Sequence, residues 1–193
     1  MEVPLFPLNT VLFPGGNLKL RVFERRYLDM VSESLRSGAP FGVCLIKQGR
    51  EVGGTAEPHN IGTLAHIVDW EQRSDGLLGI KVEGGGRFRV EVHHIGPHDL
   101  LLGRIAHLEE PPATRLPPEC LPLAGLLNRI LTQIEAPETP APDYDDACWV
   151  SCRLAEVLPL PLPLKQQLLE LNDPLERLTA LHRYLAEPSR KAL

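Results

Sequence analysis

Alternating apolar and polar positions mark the first half of the chain. In NLKLRV (residues 17–22), apolar residues alternate with Lys19 and Arg21, and this period of two predicts a strand with one buried face. Short apolar runs between turn residues predict further strands; they are TVLF (residues 10–13), PFGVCLI, GTLAHIVDW, LLGIKVE, RFRVEVHHI and LLLGRIAHL. Consecutive antiparallel strands predict a closed or nearly closed small barrel, because closure removes exposed sheet edges.

One helix interrupts this series of strands. In FERRYLDMVSESLRSG (residues 23–38) the apolar period lengthens from two to about four residues, which predicts an amphipathic helix that stops at Gly38. The residues expected on its buried face are Phe23, Tyr27, Leu28, Val31 and Leu35.

Two glycine-containing segments predict breaks between strands. Residues 74–76, Ser-Asp-Gly, predict a hairpin turn. Residues 84–86, Gly-Gly-Gly, predict either a bulge or a turn, and the pattern leaves both open.

Proline divides the chain. Eleven of the nineteen prolines fall between Pro111 and Pro163. Proline cannot donate a backbone hydrogen bond and pushes the preceding residue out of helical geometry, so residues 111–122 predict a linker. It separates a strand-rich domain, residues 1–110, from a helical subdomain, residues 123–193.

Helical patterns fill the second part. LPLAGLLNRILTQI predicts one amphipathic helix, and DYDDACWVSCRLAEVL predicts another with Asp143 as its N-cap. In the last segment Asp173 precedes Pro174, which is the typical start of a helix.

Composition and charge are those of a globular protein, with 43% hydrophobic and 23% charged residues. The net charge of −5 disfavours a nucleic-acid partner, because nucleic-acid binders usually carry a basic excess. No apolar run approaches the roughly 20 residues that span a bilayer, and the first residues lack the pattern of a secretory signal. The four cysteines form no Cys-x-x-Cys pair. We therefore expect a cytoplasmic protein with reduced thiols and no membrane partner.

No complete catalytic or metal-binding motif is found in the sequence. The phosphate-binding Gly-x-x-x-x-Gly-Lys-Ser/Thr loop and the Gly-x-Ser-x-Gly nucleophile motif are both absent. Cys148 and Cys152 lie four apart on a predicted helix, but two ligands fall short of a zinc site, so core packing is the favoured interpretation. We expect no catalytic residue, no metal and no cofactor, and thus a protein that is not an enzyme.

Basic residues cluster where the alternating strand meets the first helix. The candidate binding residues are Lys19, Arg21, Arg25, Arg26, Tyr27, Arg87 and Arg89. Arginine side chains can hold an acidic peptide or a phosphate. Because Glu24 and Asp29 are interleaved with them, a solvated surface is the favoured interpretation on charge alone.

The opening segment PLFPLNTVLFPGGNLKLRVFERRYLDMV resembles the start of the N-terminal domain of Lon proteases, the Lon substrate-binding domain. The matching parts are an apolar strand at residues 4–8, a Val-x-Phe-Pro-Gly turn at residues 11–15 and a strand-to-helix junction at residues 18–27. The similarity continues in GTLAHIVDW, VEGGGRFRV and PLKQQLLELNDPLERLTAL, and so covers nearly the whole chain.

The resemblance implies an α+β fold: a PUA-like small β-barrel of about six strands and one early helix, followed by a C-terminal helical bundle. It implies a stand-alone Lon-domain protein without the ATPase and protease domains. Its partner is then a protein or an unfolded polypeptide, bound without catalysis and linked to Lon-type proteolysis. Whether the chain forms a homo-oligomer stays open.

Two alternatives remain beside this one. PUA-like barrels elsewhere bind RNA, although the acidic balance and the lack of aromatic stacking positions on the strands weigh against RNA here. The other alternative is a small-molecule-binding protein or an unrecognised enzyme, for which the sequence offers no complete set of nucleophile, base and oxyanion donor.

Overall fold

The computed structural model describes residues 1–51, 53–54, 56–72, 74, 76–134 and 141–186. Contacts between Cα atoms divide the chain into two compact units, Met1–Glu110 and Pro111–Leu193. Each unit is built around its own set of elements.

The described residues of the first unit form six strands and one α-helix. In chain order these are β1 (Glu2–Leu8), β2 (Asn17–Val22), α1 (Arg25–Ser37), β3 (Phe41–Gln48), β4 (Glu57–Gln72), β5 (Leu78–Ile95) and β6 (Leu101–His107), with a short 3-10 turn at Pro97–Asp99 before β6. The number of strands agrees with the six or so that the resemblance implies, whereas the hydrophobic pattern alone predicts seven segments.

The strands form one mixed sheet in the order β2-β5-β4-β3-β1-β6, and β6 also pairs with β5. Pairing therefore runs in a closed circuit from β1 through β3, β4, β5 and β6 back to β1. All pairs are antiparallel except β1 with β3, which is parallel. The prediction of consecutive antiparallel strands is thus wrong for that pair, because α1 carries the chain across the sheet between them.

The predicted strand at residues 10–13 is wrong. Those residues form no strand, although Val11, Leu12 and Phe13 are buried. The Leu12 carbonyl accepts a hydrogen bond from the Thr63 hydroxyl at 2.6 Å. A short apolar run indicates that a segment is buried, but it does not show that the segment is a strand. Here the buried segment is a loop, and a side-chain hydroxyl rather than a neighbouring strand bonds its backbone.

The Gly-Gly-Gly segment lies inside one continuous strand, so LLGIKVE and RFRVEVHHI form β5 together. A Cβ atom at Gly84 would stand 2.2 Å from the carbonyl oxygen of Phe13, which leaves no room for a side chain. The register with β4 shifts opposite this segment, between Thr63 and Ala65, as in a bulge. Beyond it β4 and β5 pair as far as Gln72 and Leu78; the predicted hairpin turn includes Asp75, which lies outside the described residues.

Helix α1 ends as predicted, with Gly38 in the left-handed conformation (φ 73°) and its N–H bonded to the Ser34 carbonyl at 2.8 Å. Its buried face is different from the one predicted. Tyr27 and Val31 are buried, together with Met30 and Ser34, whereas Phe23, Leu28 and Leu35 are 49%, 36% and 43% exposed. Phe23 precedes the helix, and the other two lie on the flanks of the buried stripe.

The second unit is helical in its described residues. It contains α2 (Leu121–Gln133), α3 (Ala147–Val157), α4 (Leu162–Glu170) and α5 (Pro174–Ala186), with a 3-10 turn at Pro118–Cys120. Asp173 accepts a bond from the Leu175 N–H at 2.8 Å, which confirms the predicted helix start. The N-cap of α3 is Asp146 and not Asp143, because its carboxylate reaches the free N–H groups of the first turn.

Candidate functional site

The free edge of β2 is the main open feature of the sheet. Among the strands that the structure describes, β2 pairs with β5 alone, in a continuous register from Asn17 opposite Glu83 to Val22 opposite Leu78. Every strand of the closed circuit has neighbours on both sides, so β2 lies at the edge where the sheet can be extended.

The pattern of hydrogen bonds between β2 and β5 shows which backbone groups of β2 face the free edge. The N–H of Gly84 bonds the carbonyl of Gly16 at 2.8 Å, in the same register that β2 follows. Because bonded pairs alternate along antiparallel strands, Leu18, Leu20 and Val22 bond to β5. The N–H and C=O groups of Lys19 and Arg21 therefore point away from β5, toward the free edge.

The two faces of β2 differ in character. Leu18 and Leu20 pack against the apolar core, while Lys19 and Arg21 are exposed on the other face. On this face Lys19 lies opposite Lys81 of β5, while Glu83 lies opposite Asn17 and Asp69 of β4 lies opposite Lys81. The positive charge is therefore concentrated on β2 itself, at the free edge.

An apolar row crosses the sheet and ends at this edge. Trp70 of β4 is opposite Ile80 of β5, and Ile80 is opposite Leu20 of β2. Directly opposed residues point to the same face, so the three side chains follow one another across it. Ile80 is 3% exposed whereas Trp70 is 59% exposed. The middle of this row, Ile80, is therefore buried. The exposed ring of Trp70 lies at one end of the row, and Leu20 on the free edge strand lies at the other.

The second feature is a pocket of about 480 Å³ beside the start of α1. His98 and Asp99 lie on its wall with positive φ angles of 57° and 61°, which non-glycine residues rarely adopt. The lining residues are Glu24, Arg25, Arg26, Gly53, Gly54, His98 and Asp99.

Arg26 is used to build this pocket. Its Nη2 atom lies 2.9 Å from the Glu24 carboxylate, and its guanidinium donates to the carbonyls of Gly54 and Asp99 at 3.2 Å each. It also lies over the ring of Tyr27, 4.7 Å from the centroid. Its side chain is only 11% exposed. The Arg26 charge therefore joins three segments of the chain and is neutralised by Glu24.

Two of the sequence-predicted residues are buried. Tyr27 is 5% exposed and stacks on Phe6 with ring centroids 3.9 Å apart, and burial raises the pKa of Tyr27. Arg87 is 4% exposed. Their side chains lie inside the first unit, so neither belongs to an exposed surface.

The remaining predicted residues fall into separate places. Lys19 and Arg21 share the β2 edge, whereas Arg25 extends into solvent at the start of α1 with 84% of its side chain exposed. Arg89 is exposed farther along β5, opposite Ile61 and beyond the stretch that pairs with β2. They do not form a single basic cluster.

Sequence reasoning missed Trp70 and the pocket wall at His98 and Asp99. Trp70 lies within a predicted strand, but its exposure depends on a register shift between Ile67 and Asp69 that the pattern does not reveal. The 3-10 turn at residues 97–99 carries no local signal beyond a single proline.

Groups that could bind a metal ion and helices that could span a membrane were sought among the described residues. No group of three or more His, Cys, Asp or Glu side chains is placed to hold a metal ion within the described part of the chain. In that same part, none of the helices combines the length and the apolar character needed to cross a membrane.

The mixed sheet with a free edge strand and the helical second unit together define an α+β protein. The chain belongs to the family of substrate-binding domains of ATP-dependent protease La (Lon), whose family model matches residues 2–187.

Solved structures show the same fold. The chain is 38% identical to a Lon N-terminal domain protein from Xanthomonas campestris, with a TM-score of 0.80 over 98% of this chain and 99% of that one. The N-terminal domain of the Mycobacterium avium complex Lon protease has a TM-score of 0.69 over 98% of this chain and 100% of that one. At 21% identity the second likeness concerns the fold alone.

Full Lon proteases match over part of their length. Lon protease 2 of Myxococcus xanthus is 32% identical over 90 residues, which are 46% of this chain and 11% of that protein. Lon protease 2 of Herpetosiphon aurantiacus is 26% identical over 198 residues, covering 97% of this chain and 24% of the relative. The chain thus spans a quarter or less of these relatives.

Proposed function

We propose that the protein binds extended polypeptide without catalysis, and that the bound segment adds a strand to the free edge of β2. The observation that carries this proposal is the unpaired edge at Lys19 and Arg21. The family description, a substrate-binding domain of a protease, supports a polypeptide as the ligand.

Strand addition fits a ligand of variable sequence. The N–H and C=O groups of Lys19 and Arg21 offer two donors and two acceptors to any extended backbone. Each backbone hydrogen bond contributes about 0.5–1.5 kcal/mol net, whatever the side chains of the ligand. The backbone of unfolded chains is thereby recognised in general, with side chains adding a preference.

The two faces of β2 set that preference. An added strand places alternate side chains beside Leu20, at the end of the row that begins at Trp70, where apolar residues are favoured. The intervening side chains lie on the face of Lys19 and Arg21, where acidic residues are favoured. We expect the best ligands to alternate apolar and acidic residues.

The experiment measures binding of labelled peptides of about ten residues by fluorescence polarisation, the length of a long strand pairing. A Val-Thr alternating peptide tests the backbone contribution, while Val-Glu and Val-Lys peptides test the charge. The variant Lys19→Pro/Arg21→Pro removes both edge donors but leaves the bonds to β5 in place. The matched control, Lys19→Ala/Arg21→Ala, keeps both donors.

Loss of two donors is expected to weaken Val-Thr binding by about 5-fold to 150-fold in the proline variant and by less than about twofold in the alanine control. The alanine control should instead remove the preference for Val-Glu over Val-Lys. Equal binding of the Val-Thr peptide by the proline variant and the wild type, with unchanged thermal unfolding, would exclude the β2 edge as the site.

A further inference from the structure

The second unit contains a buried arginine. Arg177 of α5 is 2% exposed. Its guanidinium donates to the carbonyls of Leu168 and Leu171 at 2.9 and 2.7 Å, to the Ser151 hydroxyl at 3.0 Å, and to the Cys152 sulfur at 3.4 Å. All three nitrogens of the guanidinium therefore donate to protein groups, and the charge is almost completely shielded from water.

None of these partners is a carboxylate. Within the described residues, the ion pairs that arginines form with Asp or Glu do not include Arg177. Guanidinium groups stay protonated in proteins, and a buried charge without a counter-ion costs several kcal/mol. An anion near Arg177 would offset this cost. The sulfur that its guanidinium contacts is that of Cys152, and Cys148 lies one helical turn before it on α3.

Cys148 is the better placed of the two for reaction. It is the second residue of α3, where the helix dipole stabilises negative charge, and it is partly exposed, whereas Cys152 is buried. Cys148 and Cys152 lie one turn apart on α3, so their thiols share one face of the helix. Cys152 can donate its S–H to Cys148 while its own sulfur accepts from Arg177.

The groups around the two cysteines shift the two thiol pKa values in opposite directions. The bond from Cys152 and the attraction of Arg177 lower the pKa of Cys148 to about 6, against burial and the Asp146 carboxylate, which raise it. The pKa of Cys152 is raised well above its ordinary range by the bond to Cys148 and by burial, while Arg177 and Arg153 oppose this. The negative charge of the pair thus resides on Cys148.

We propose that Cys148 is a modification site: a thiolate, held by Cys152 and Arg177, that is oxidised by hydroperoxides. The thiolate attacks one oxygen of the peroxide, the S–O bond forms as the O–O bond breaks, and Cys148 becomes a sulfenic acid. Sulfur loses two electrons to the peroxide, and the leaving alkoxide or hydroxide takes a proton from solvent.

Helix α3 limits the fate of this sulfenic acid. Residues four apart on a helix have Cβ atoms about 5–6 Å apart, beyond the roughly 3.5–4.5 Å that a disulfide requires. While α3 is intact, Cys152 cannot close a disulfide with Cys148. The sulfenic acid should therefore persist long enough to be trapped by dimedone.

The chain supplies its own internal controls. Burial raises the pKa of Cys44 to about 12. The pKa of Cys120, which is partly exposed like Cys148, is raised by burial and by Glu119. Cys120 is thus a matched thiol without the guanidinium and without the second cysteine.

The test exposes the full chain to equimolar hydrogen peroxide with dimedone and maps adducts by tryptic digestion and fragment mass spectra. Cys120 lies in the fragment 116–129, and Cys148 lies with Cys152 in the fragment 130–153. At about pH 7 the larger thiolate fraction of Cys148 outweighs its lower intrinsic nucleophilicity, so we expect at least about threefold faster labelling than at Cys120.

The pH profile separates this proposal from simple exposure. Labelling of Cys148 should be half-maximal at about pH 6 in the wild type and at a higher pH in Cys152→Ala, which lacks the S–H donor. Cys120→Ser should leave the Cys148 profile unchanged. If Cys148 labels no faster than Cys120, or if its midpoint is the same in wild type and Cys152→Ala, the proposal is wrong.

Discussion

Two arginines, one in each unit, have a charged group largely removed from water, and the partners that compensate this charge differ. Arg26 and Arg177 each donate to two backbone carbonyls and are largely removed from water. Arg26 has the Glu24 carboxylate at 2.9 Å, whereas Arg177 has a hydroxyl and a cysteine sulfur. A guanidinium with its own carboxylate is neutralised by that carboxylate, whereas one without it raises the acidity of a neighbouring thiol.

The largest effect should follow removal of the arginine that has no carboxylate. Arg177→Met keeps much of the volume but removes the hydrogen bonds that the guanidinium donates to the carbonyls of Leu168 and Leu171 and to the Ser151 hydroxyl. We expect a loss of about 3–5 kcal/mol in the free energy of unfolding, measured with urea. Arg177→Lys, which keeps the charge but cannot reach both carbonyls, should fall between Met and wild type. A Met variant as stable as wild type would contradict this account.

A smaller effect is expected at the arginine that has its carboxylate. Arg26→Met removes the same kind of carbonyl bonds, but Glu24 and the carbonyls of Gly54 and Asp99 border an open pocket and can turn to water. The expected loss is about 1–2 kcal/mol in the same urea measurement. The neighbouring Arg25→Met, at an exposed pair 4.0 Å from Asp29, is the control and should cost less than about 0.5 kcal/mol. A loss at Arg26 equal to that at Arg177 would remove the distinction between them.

The smallest effect is a pH dependence confined to the second unit. The pKa of Cys148 falls from its ordinary 9.0 to about 6 on folding. Its contribution to stability is therefore fully present above the unfolded pKa and is lost as the pH falls through the folded pKa. Because Cys148 is partly exposed, we expect wild type to gain only about 1 kcal/mol over Cys148→Ser between about pH 5.5 and 8. If the free energy of unfolding changes equally with pH in the two proteins, the Cys148 thiolate does not compensate the charge of Arg177.

Local periodicity was enough to predict much of the fold. The alternation in β2 and the glycine that ends α1 are local features, and both predictions are confirmed by the burial of Val22 and by the conformation of Gly38. The segment at residues 10–13 and the Gly-Gly-Gly segment were misread or left open because their explanation is non-local. The chain at Phe13 passes within touching distance of Gly84, and neither segment records that contact by itself.

The candidate sites depended still more on distant parts of the chain. Arg25 and Arg26 are adjacent in sequence, yet only Arg26 meets the carbonyls that residues 54 and 99 bring to it. The helical sequence pattern around Arg177 does not distinguish it from an arginine that is exposed to solvent. Its burial follows from the carbonyls at the end of α4 and from Ser151 and Cys152 on α3, which the fold brings together.

The position of β1 in the closed circuit has a consequence for how the first unit folds. Leu5 pairs with Gly42 of β3 on one side and with Leu101 of β6 on the other. The pairing with β3 closes a shorter stretch of chain, whereas the pairing with β6 requires nearly the whole unit to be present. During synthesis β1 and β3 can meet early, but the circuit closes only after β6 has emerged from the ribosome. Closure by contacts of such long sequence separation is expected to be the slow step, and until it happens one side of β1 is open to other chains.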